Sequence, residues 1–238
     1  MKLVEVGNTQ TKIAIFNGDD VIDVQRFENA NVEALAQVLA IHPEKKTIVA
    51  ASGDVSESLI AVLEQTGGYQ LLTKGLDYGI SMTYTTPHTL GIDRLANAAQ
   101  ALRHFKLQTV LVVDMGTCVT YDLVLNGCYQ GGVIAPGLRM RSKAMAAFTS
   151  ALPDVDLADT IELVGRSTTA SLQSGTMNGW RAEIQALSAD FVATYENLHI
   201  VYTGGDLPHF EAGVKSRIFA DPFWTLRGYV ELYRRHAN

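Results

Sequence analysis

Val110-Leu111-Val112-Val113-Asp114-Met115-Gly116-Thr117 is an apolar run that ends in a carboxylate and a glycine turn, and it repeats the opening of the chain, Leu3-Val4-Glu5-Val6-Gly7-Asn8-Thr9. A second apolar segment follows in both places, Thr11-Lys12-Ile13-Ala14-Ile15-Phe16 and Val119-Thr120-Tyr121-Asp122-Leu123-Val124-Leu125, each closing on an Asn-Gly pair, Asn17-Gly18 and Asn126-Gly127. Short β-rich runs bounded by such turn residues predict strand-turn-strand hairpins. Glu5 onto Asp114, Gly7 onto Gly116 and Thr11 onto Thr120 all fall at an offset of 109 residues, which predicts an internal duplication.

Around these two units helical and strand patterns alternate. Val32, Leu35, Val38 and Leu39 recur at helical spacing, Thr47 to Ala51 reads as a buried strand, and Leu59, Ile60, Val62 and Leu63 mark another helix. Gly91-Ile92-Asp93-Arg94 opens a helix with Leu95, Ala98, Ala99, Leu102 and Phe105 on one face. After the glycine-rich stretch 131–137 come a helix from Leu138 to about Phe148, a long helix from Thr168 toward Tyr195, a strand His199 to Thr203 and a closing helix Trp224 to Arg235. The alternation predicts an α/β layer architecture, with two similar halves, 1–108 and 109–238, facing each other across a cleft. In the long helix Ser171, Gly175 and Gly179 fall every fourth residue. Glycine inside a helix costs about 1 kcal/mol relative to alanine, so this face predicts close approach of another backbone.

The 238 residues carry 19 Lys and Arg against 25 Asp and Glu, a net charge of −6, with 47% hydrophobic and 18% charged residues. Such a composition buries a core without staples and excludes a disulfide scaffold or a disordered tail. No run approaches the ~18 apolar residues of a membrane span. The carboxylate of Glu5 comes too early for a secretory signal, so a cytoplasmic location without a membrane partner is expected. The Lys/Arg runs never exceed the pairs Lys45-Lys46 and Arg234-Arg235, which argues against a nucleic-acid partner held through phosphate neutralisation. Cys118 and Cys128 could meet across a hairpin but read as small buried residues. The six histidines lack metal-ligand spacing, and Ser52 lacks the context of a nucleophile elbow.

A carboxylate at a strand end followed by Gly-Asn-Thr gathers backbone N–H groups and a hydroxyl into one concave turn, which suits an anion, with a hydrated cation beside it. Two such turns outline a nucleotide site. Lys12 would add positive charge to the same phosphates. Asp93 reads either as a first-turn acid favoured by the helix dipole or as the group that accepts a proton from a substrate hydroxyl, with Arg94 holding an anion. Phosphoryl transfer needs this kind of positioning and charge stabilisation more than covalent chemistry.

Glu5 to Lys12, Tyr84-Thr85-Thr86-Pro87 running to Gly91-Ile92-Asp93-Arg94, Asp114 to Thr120, Gly131 to Gly137, Gly165-Arg166-Ser167-Thr168 and Thr203-Gly204-Gly205 occur in an order and spacing that resembles the type III pantothenate kinases over nearly the whole chain. The resemblance implies two duplicated ribonuclease-H-like domains of the actin-like ATPase superfamily around an ATP cleft, acting as a homodimer. It implies transfer of the ATP γ-phosphoryl group to pantothenate, the first step of coenzyme A synthesis. Carried over by motif, Glu5, Val6, Gly7, Asn8, Thr9, Gln10, Thr11 and Lys12 would cradle the ATP phosphates and Thr117 would contact ATP. Asp93 would be the general base. Tyr84, Gly91, Ile92, Asp93, Arg94 and Thr168 would line the pantothenate pocket. Asp114 would hold the monovalent cation, potassium or ammonium, that accompanies Mg²⁺.

One position departs from the family pattern. Its first phosphate motif usually begins with Asp, whereas this chain has Glu5, one methylene longer, at a site where Mg²⁺ demands near-octahedral geometry. Two rival readings remain open on sequence: a kinase of the same superfamily with another small hydroxyl acceptor, and a non-catalytic nucleotide-binding regulatory factor.

Overall fold

The structure, a computed structural model, describes residues 1–7, 10–28, 31–53, 55–158, 161–211 and 219–237. The chain divides into two compact units, Met1–Lys106 with Phe223–Asn238, and Leu107–Pro222.

The first unit contains β1 (Lys2–Val6), β2 (Gln10–Asn17), β3 (Asp20–Glu28), α1 (Val32–Ile41), β4 (Thr47–Ala51), α2 (Glu57–Gln65), β5 (Gln70–Leu72) and α3 (Ile92–Phe105). Its sheet has the order β3-β2-β1-β4-β5. The first three strands form an antiparallel meander, and β4 and β5 run parallel to β1. Alternation along β1 and β2 sends Val4, Val6, Ile13 and Ile15 to one face, where Leu35, Val38 and Leu39 of α1 and Leu59 and Leu63 of α2 cover them. Ser56 caps α2 by accepting from the Leu59 N–H, and Asn31 caps α1 through the Ala34 N–H. The sequence pattern did not mark β3, because its residues are largely exposed and alternate charged with apolar side chains; pairing with β2 makes it a strand.

The second unit contains β6 (Val110–Met115), β7 (Cys118–Leu125), β8 (Cys128–Pro136), α4 (Leu138–Ala147), α5 (Thr168–Thr194), β9 (His199–Thr203) and α6 (Leu207–Glu211). Its sheet order β8-β7-β6-β9 reproduces the first four strands of the other sheet, again an antiparallel meander with a parallel fourth strand. Leu111, Val113, Met115, Val119, Tyr121 and Leu123 pack against Leu138, Met177, Trp180 and Ile184 from the helices. The opposite face of β6, β7 and β9, whose Tyr202 joins that core, therefore carries Val112, Asp114, Thr120, Asp122 and Thr203.

The last helix, α7 (Trp224–Ala237), belongs to the first compact unit. It lies on α3 and on β1, β4 and β5. Gly228 faces the backbone of Ala96 so closely that a Cβ there would overlap it. Thr225 donates to Asn97 Oδ1 at 2.9 Å, Arg103 donates to Glu231 at 3.0 Å, and Arg234 holds the Asp19 carboxyl below its usual range.

The register refines the duplication. Glu5 lies opposite Lys12, while Asp114 lies opposite Thr120. With Glu5 and Asp114 equivalent, Lys12 corresponds to Thr120 and Thr11 to Val119, so the offset drops to 108 after the turn, which is one residue longer in the first unit. The bulges agree: they fall between Ile15 and Phe16 and between Leu123 and Val124. Cys118 pairs with Pro136 and Cys128 with Leu125, at opposite ends of one hairpin, and both thiols are free. None of the described helices is long and apolar enough to cross a membrane.

Candidate functional site

In the first unit the glycine turn opens at Gly7, whose N–H donates to the Gln10 carbonyl at 3.0 Å. A Cβ on Gly7 would press on that same oxygen, so the turn requires glycine. Glu5, the penultimate residue of β1, accepts from Lys12 Nζ at 2.9 Å across the strand pair. The longer arm thus finds a partner directly opposite. Val6 and Thr11 are buried and Gln10 is exposed; Asn8 and Thr9 lie outside the described residues.

The same unit holds the segment expected to bind the acceptor. A short 3-10 turn, Pro87–Thr89, leads to Gly91, the N-cap of α3. Gly91 offers no side-chain cap, and Asp93 Oδ1 instead accepts from the Arg94 N–H at 2.9 Å, folding back over Gly91. A Cβ on Gly91 would overlap that carboxylate oxygen, so glycine here is what lets Asp93 take its orientation. Ile92 is buried in the core. Arg94, 5% exposed, stacks its guanidinium over the Tyr84 ring at 5.8 Å. Asp93, Arg94, Gly91 and Tyr84 are therefore gathered around one helix N-terminus.

In the second unit the turn 116–117 is closed by Gly116 N–H donating to the Cys118 carbonyl at 3.0 Å. Thr117 is exposed, and its carbonyl accepts from the Gly137 N–H at 3.1 Å. Gly137, the N-cap of α4, sits so close to the backbone of Gly116 and Thr117 that no Cβ fits. Gly204, at φ +103°, packs with equal closeness on the backbone of Met115. Two distant glycines thus hold the turn from either side. Asp114 lies in the row Thr120, Asp114, Thr203 across β7, β6 and β9. Asp122, fully buried, accepts from Tyr129 Oη at 2.9 Å and from Thr120 Oγ1 at 3.2 Å.

Thr168 is exposed at the start of α5, beside a pocket of about 270 Å³ lined by Glu162, Gly165, Arg166, Ser167 and Gln173. Ser167 caps the helix by accepting from the Ala170 N–H at 3.2 Å. Sequence reasoning passed over Asp122 and took Thr203 only as part of the motif Thr203-Gly204-Gly205. The available signal was a carboxylate in the middle of an otherwise apolar strand.

Duplicated four-strand units of this topology define the class of fold called ribonuclease-H-like or actin-like. Solved structures agree: the activator of the 2-hydroxyisocaproyl-CoA dehydratase from Clostridium difficile, with bound ADPNP, aligns at a TM-score of 0.55 with 11% identity over 100% of this chain and 95% of that one. A conserved Campylobacter jejuni protein assigned to the Baf family of transcriptional activators aligns at 0.61 with 20% identity over 100% of both chains. Within this class the chain belongs to the type III pantothenate kinase family, whose family model matches residues 2–190. The type III pantothenate kinase of Phocaeicola vulgatus is 34% identical over 95% of this chain and 94% of its own length. That of Flavobacterium johnsoniae is 35% identical over 97% and 96%.

Proposed function

We infer that this chain is an ATP-dependent pantothenate kinase, forming 4'-phosphopantothenate in the first step of coenzyme A biosynthesis. The observation that carries the reading is family membership over residues 2–190, which hold all the ordered motifs except Thr203-Gly204-Gly205. Glu5 to Lys12 and Thr117 are assigned to the ATP phosphates. Tyr84, Gly91, Ile92, Arg94 and Thr168 are assigned to the pantothenate pocket.

Asp93 is the proposed general base. Its carboxylate is oriented by the Arg94 N–H, and it accepts the proton of the pantothenate hydroxyl as that oxygen bonds to the γ-phosphorus and the bond to ADP breaks. The Arg94 guanidinium, held against Tyr84, supplies positive charge in the acceptor pocket. Mg²⁺ is ordinarily held by one or two carboxylates together with substrate phosphates. Glu5, whose carboxylate is paired with Lys12 Nζ at 2.9 Å, is the residue that would hold such an ion beside ATP. When bound, that ion neutralises phosphate charge.

The monovalent cation, K⁺ or NH₄⁺, is assigned to Asp114. Thr203 Oγ1, on the adjoining strand, is buried without a hydrogen-bond partner among the described residues, which fits an oxygen reserved for such an ion. The homodimer is assigned to α5: Gly175 and Gly179 have nothing within 4 Å of a Cβ position, so the close approach predicted for that face does not come from this chain's described residues. Exposed Leu163 and Val164 lie alongside, where Ser174 Oγ donates to the Leu163 carbonyl at 2.8 Å. The cell compartment assigned is the cytoplasm.

The test is ADP release from ATP and Mg²⁺ with and without pantothenate in potassium, ammonium and sodium buffers. Pantothenate-dependent release is expected. Its absence from folded protein would transfer the reading to another hydroxyl acceptor. Asp93→Asn should lower kcat by roughly 10²–10⁴-fold, the range for a positioned proton acceptor, and leave calorimetric pantothenate binding in place. Unchanged turnover removes Asp93 from the role.

A further inference from the structure

The two copies of the repeat differ in what flanks their acidic residue. In the first unit the row across the sheet is Lys12, Glu5, Ala50, and Lys12 supplies a cation to Glu5 at 2.9 Å. In the second unit the equivalent row is Thr120, Asp114, Thr203, so two hydroxyls stand where the first has an ammonium and a methyl group. All three side chains project from the face opposite the apolar core, since Val113, Met115, Val119, Tyr121 and Tyr202 occupy that core.

The Thr120 hydroxyl is arranged as an acceptor. Thr120 donates its one hydrogen to Asp122 Oδ2 at 3.2 Å, leaving lone pairs for anything placed beside Asp114. Asp122 is itself 0% exposed and is held by the Tyr129 hydroxyl at 2.9 Å. Thr203 is 0% exposed and its Oγ1 has no hydrogen-bond partner among the described residues, a costly state for a buried hydroxyl unless a ligand completes it.

We propose that Thr120 and Thr203 complete the monovalent-cation site at Asp114, with Asp122 and Tyr129 as positioning residues that keep the Thr120 proton turned away from the ion. This rests on the assignment of Asp114 to the cation. Residues behind a metal ligand commonly change metal affinity by about 10–100-fold when replaced, because they fix the ligand's orientation.

The experiment titrates KCl against choline chloride at constant ionic strength on the full chain. It reads the K⁺ half-saturation of pantothenate-dependent ADP formation and the K⁺-induced rise of the thermal midpoint with ADP and Mg²⁺ present. The parent should respond in both. Thr203→Val should raise the half-saturation by at least about ten-fold and abolish the thermal response, without a lower midpoint in choline, because it removes only an unpaired hydroxyl. Thr203→Ser should restore the parent values. Asp122→Asn and Tyr129→Phe should raise the half-saturation as well, the Asn amide by donating to Thr120 Oγ1 and turning the hydroxyl proton toward the ion. An unchanged half-saturation in Thr203→Val, or a serine variant that behaves like valine, overturns the proposal. A parent indifferent to K⁺ against choline overturns the Asp114 assignment first, and the proposal with it.

Discussion

At the scale of single residues, the positions that matter most are those where a missing side chain makes room for a working one. Gly91 has no Cβ, and the space is taken by the Asp93 carboxylate that folds back from the first turn of α3. Gly91→Ala would push on the end of a short mobile side chain rather than on backbone, so the fold should survive and the base should be displaced. The expected outcome is a thermal midpoint near the parent's with kcat reduced by about 10²-fold, the scale of loss when a catalytic group is misplaced by about an ångström. An alanine variant with parental kcat would separate the Asp93 orientation from turnover. Glu5 was legible as a departure, but its partner was not. Lys12 was read as a phosphate contact, and only the β1–β2 register sets it opposite Glu5.

At the scale of elements, helices and strands with strong periodicity were legible: β1, β4, α1, α3, α5 and β9 fall where the apolar spacing set them. The turn between β2 and β3 was displaced by one residue, since Asn17 pairs with Asp20 and the turn passes through Gly18 and Asp19. Single-sequence spacing could not see this, because the extra residue sits in the preceding turn and moves the whole second strand. The place of α7 was likewise invisible, because an amphipathic pattern shows that a helix has an apolar face and not which sheet it covers. Its docking on α3 depends on Gly228 against the Ala96 backbone. Gly228→Ala should destabilise the protein by about 1–3 kcal/mol through overpacking, read as a lower urea midpoint at unchanged slope. A neutral result would mean that the two helices separate at little cost.

At the scale of the whole molecule, the long helix α5 links sequence to assembly. Two glycines in a helix interior made close approach an expectation, and apart from the surrounding helix backbone no described atom of this chain comes within 4 Å of a Cβ at either. Gly175→Ala should therefore leave the dissociated chain no less stable, with up to about 1 kcal/mol gained from helix propensity. It should weaken self-association measured by sedimentation velocity. An unaltered dimer, or a protein monomeric throughout, would remove α5 from that role. The duplication, the α/β class and the ordered motifs were determined by sequence alone, because strand-end carboxylates, glycine turns and apolar periodicity are local and survive as patterns in one dimension. The assignment of α7 to the first unit, the pairing of Glu5 with Lys12, and the row of Thr120, Asp114 and Thr203 were decided only by tertiary structure. Each depends on register or docking between elements, and a one-residue change in a turn alters which side chains meet without altering the pattern that announces the strand.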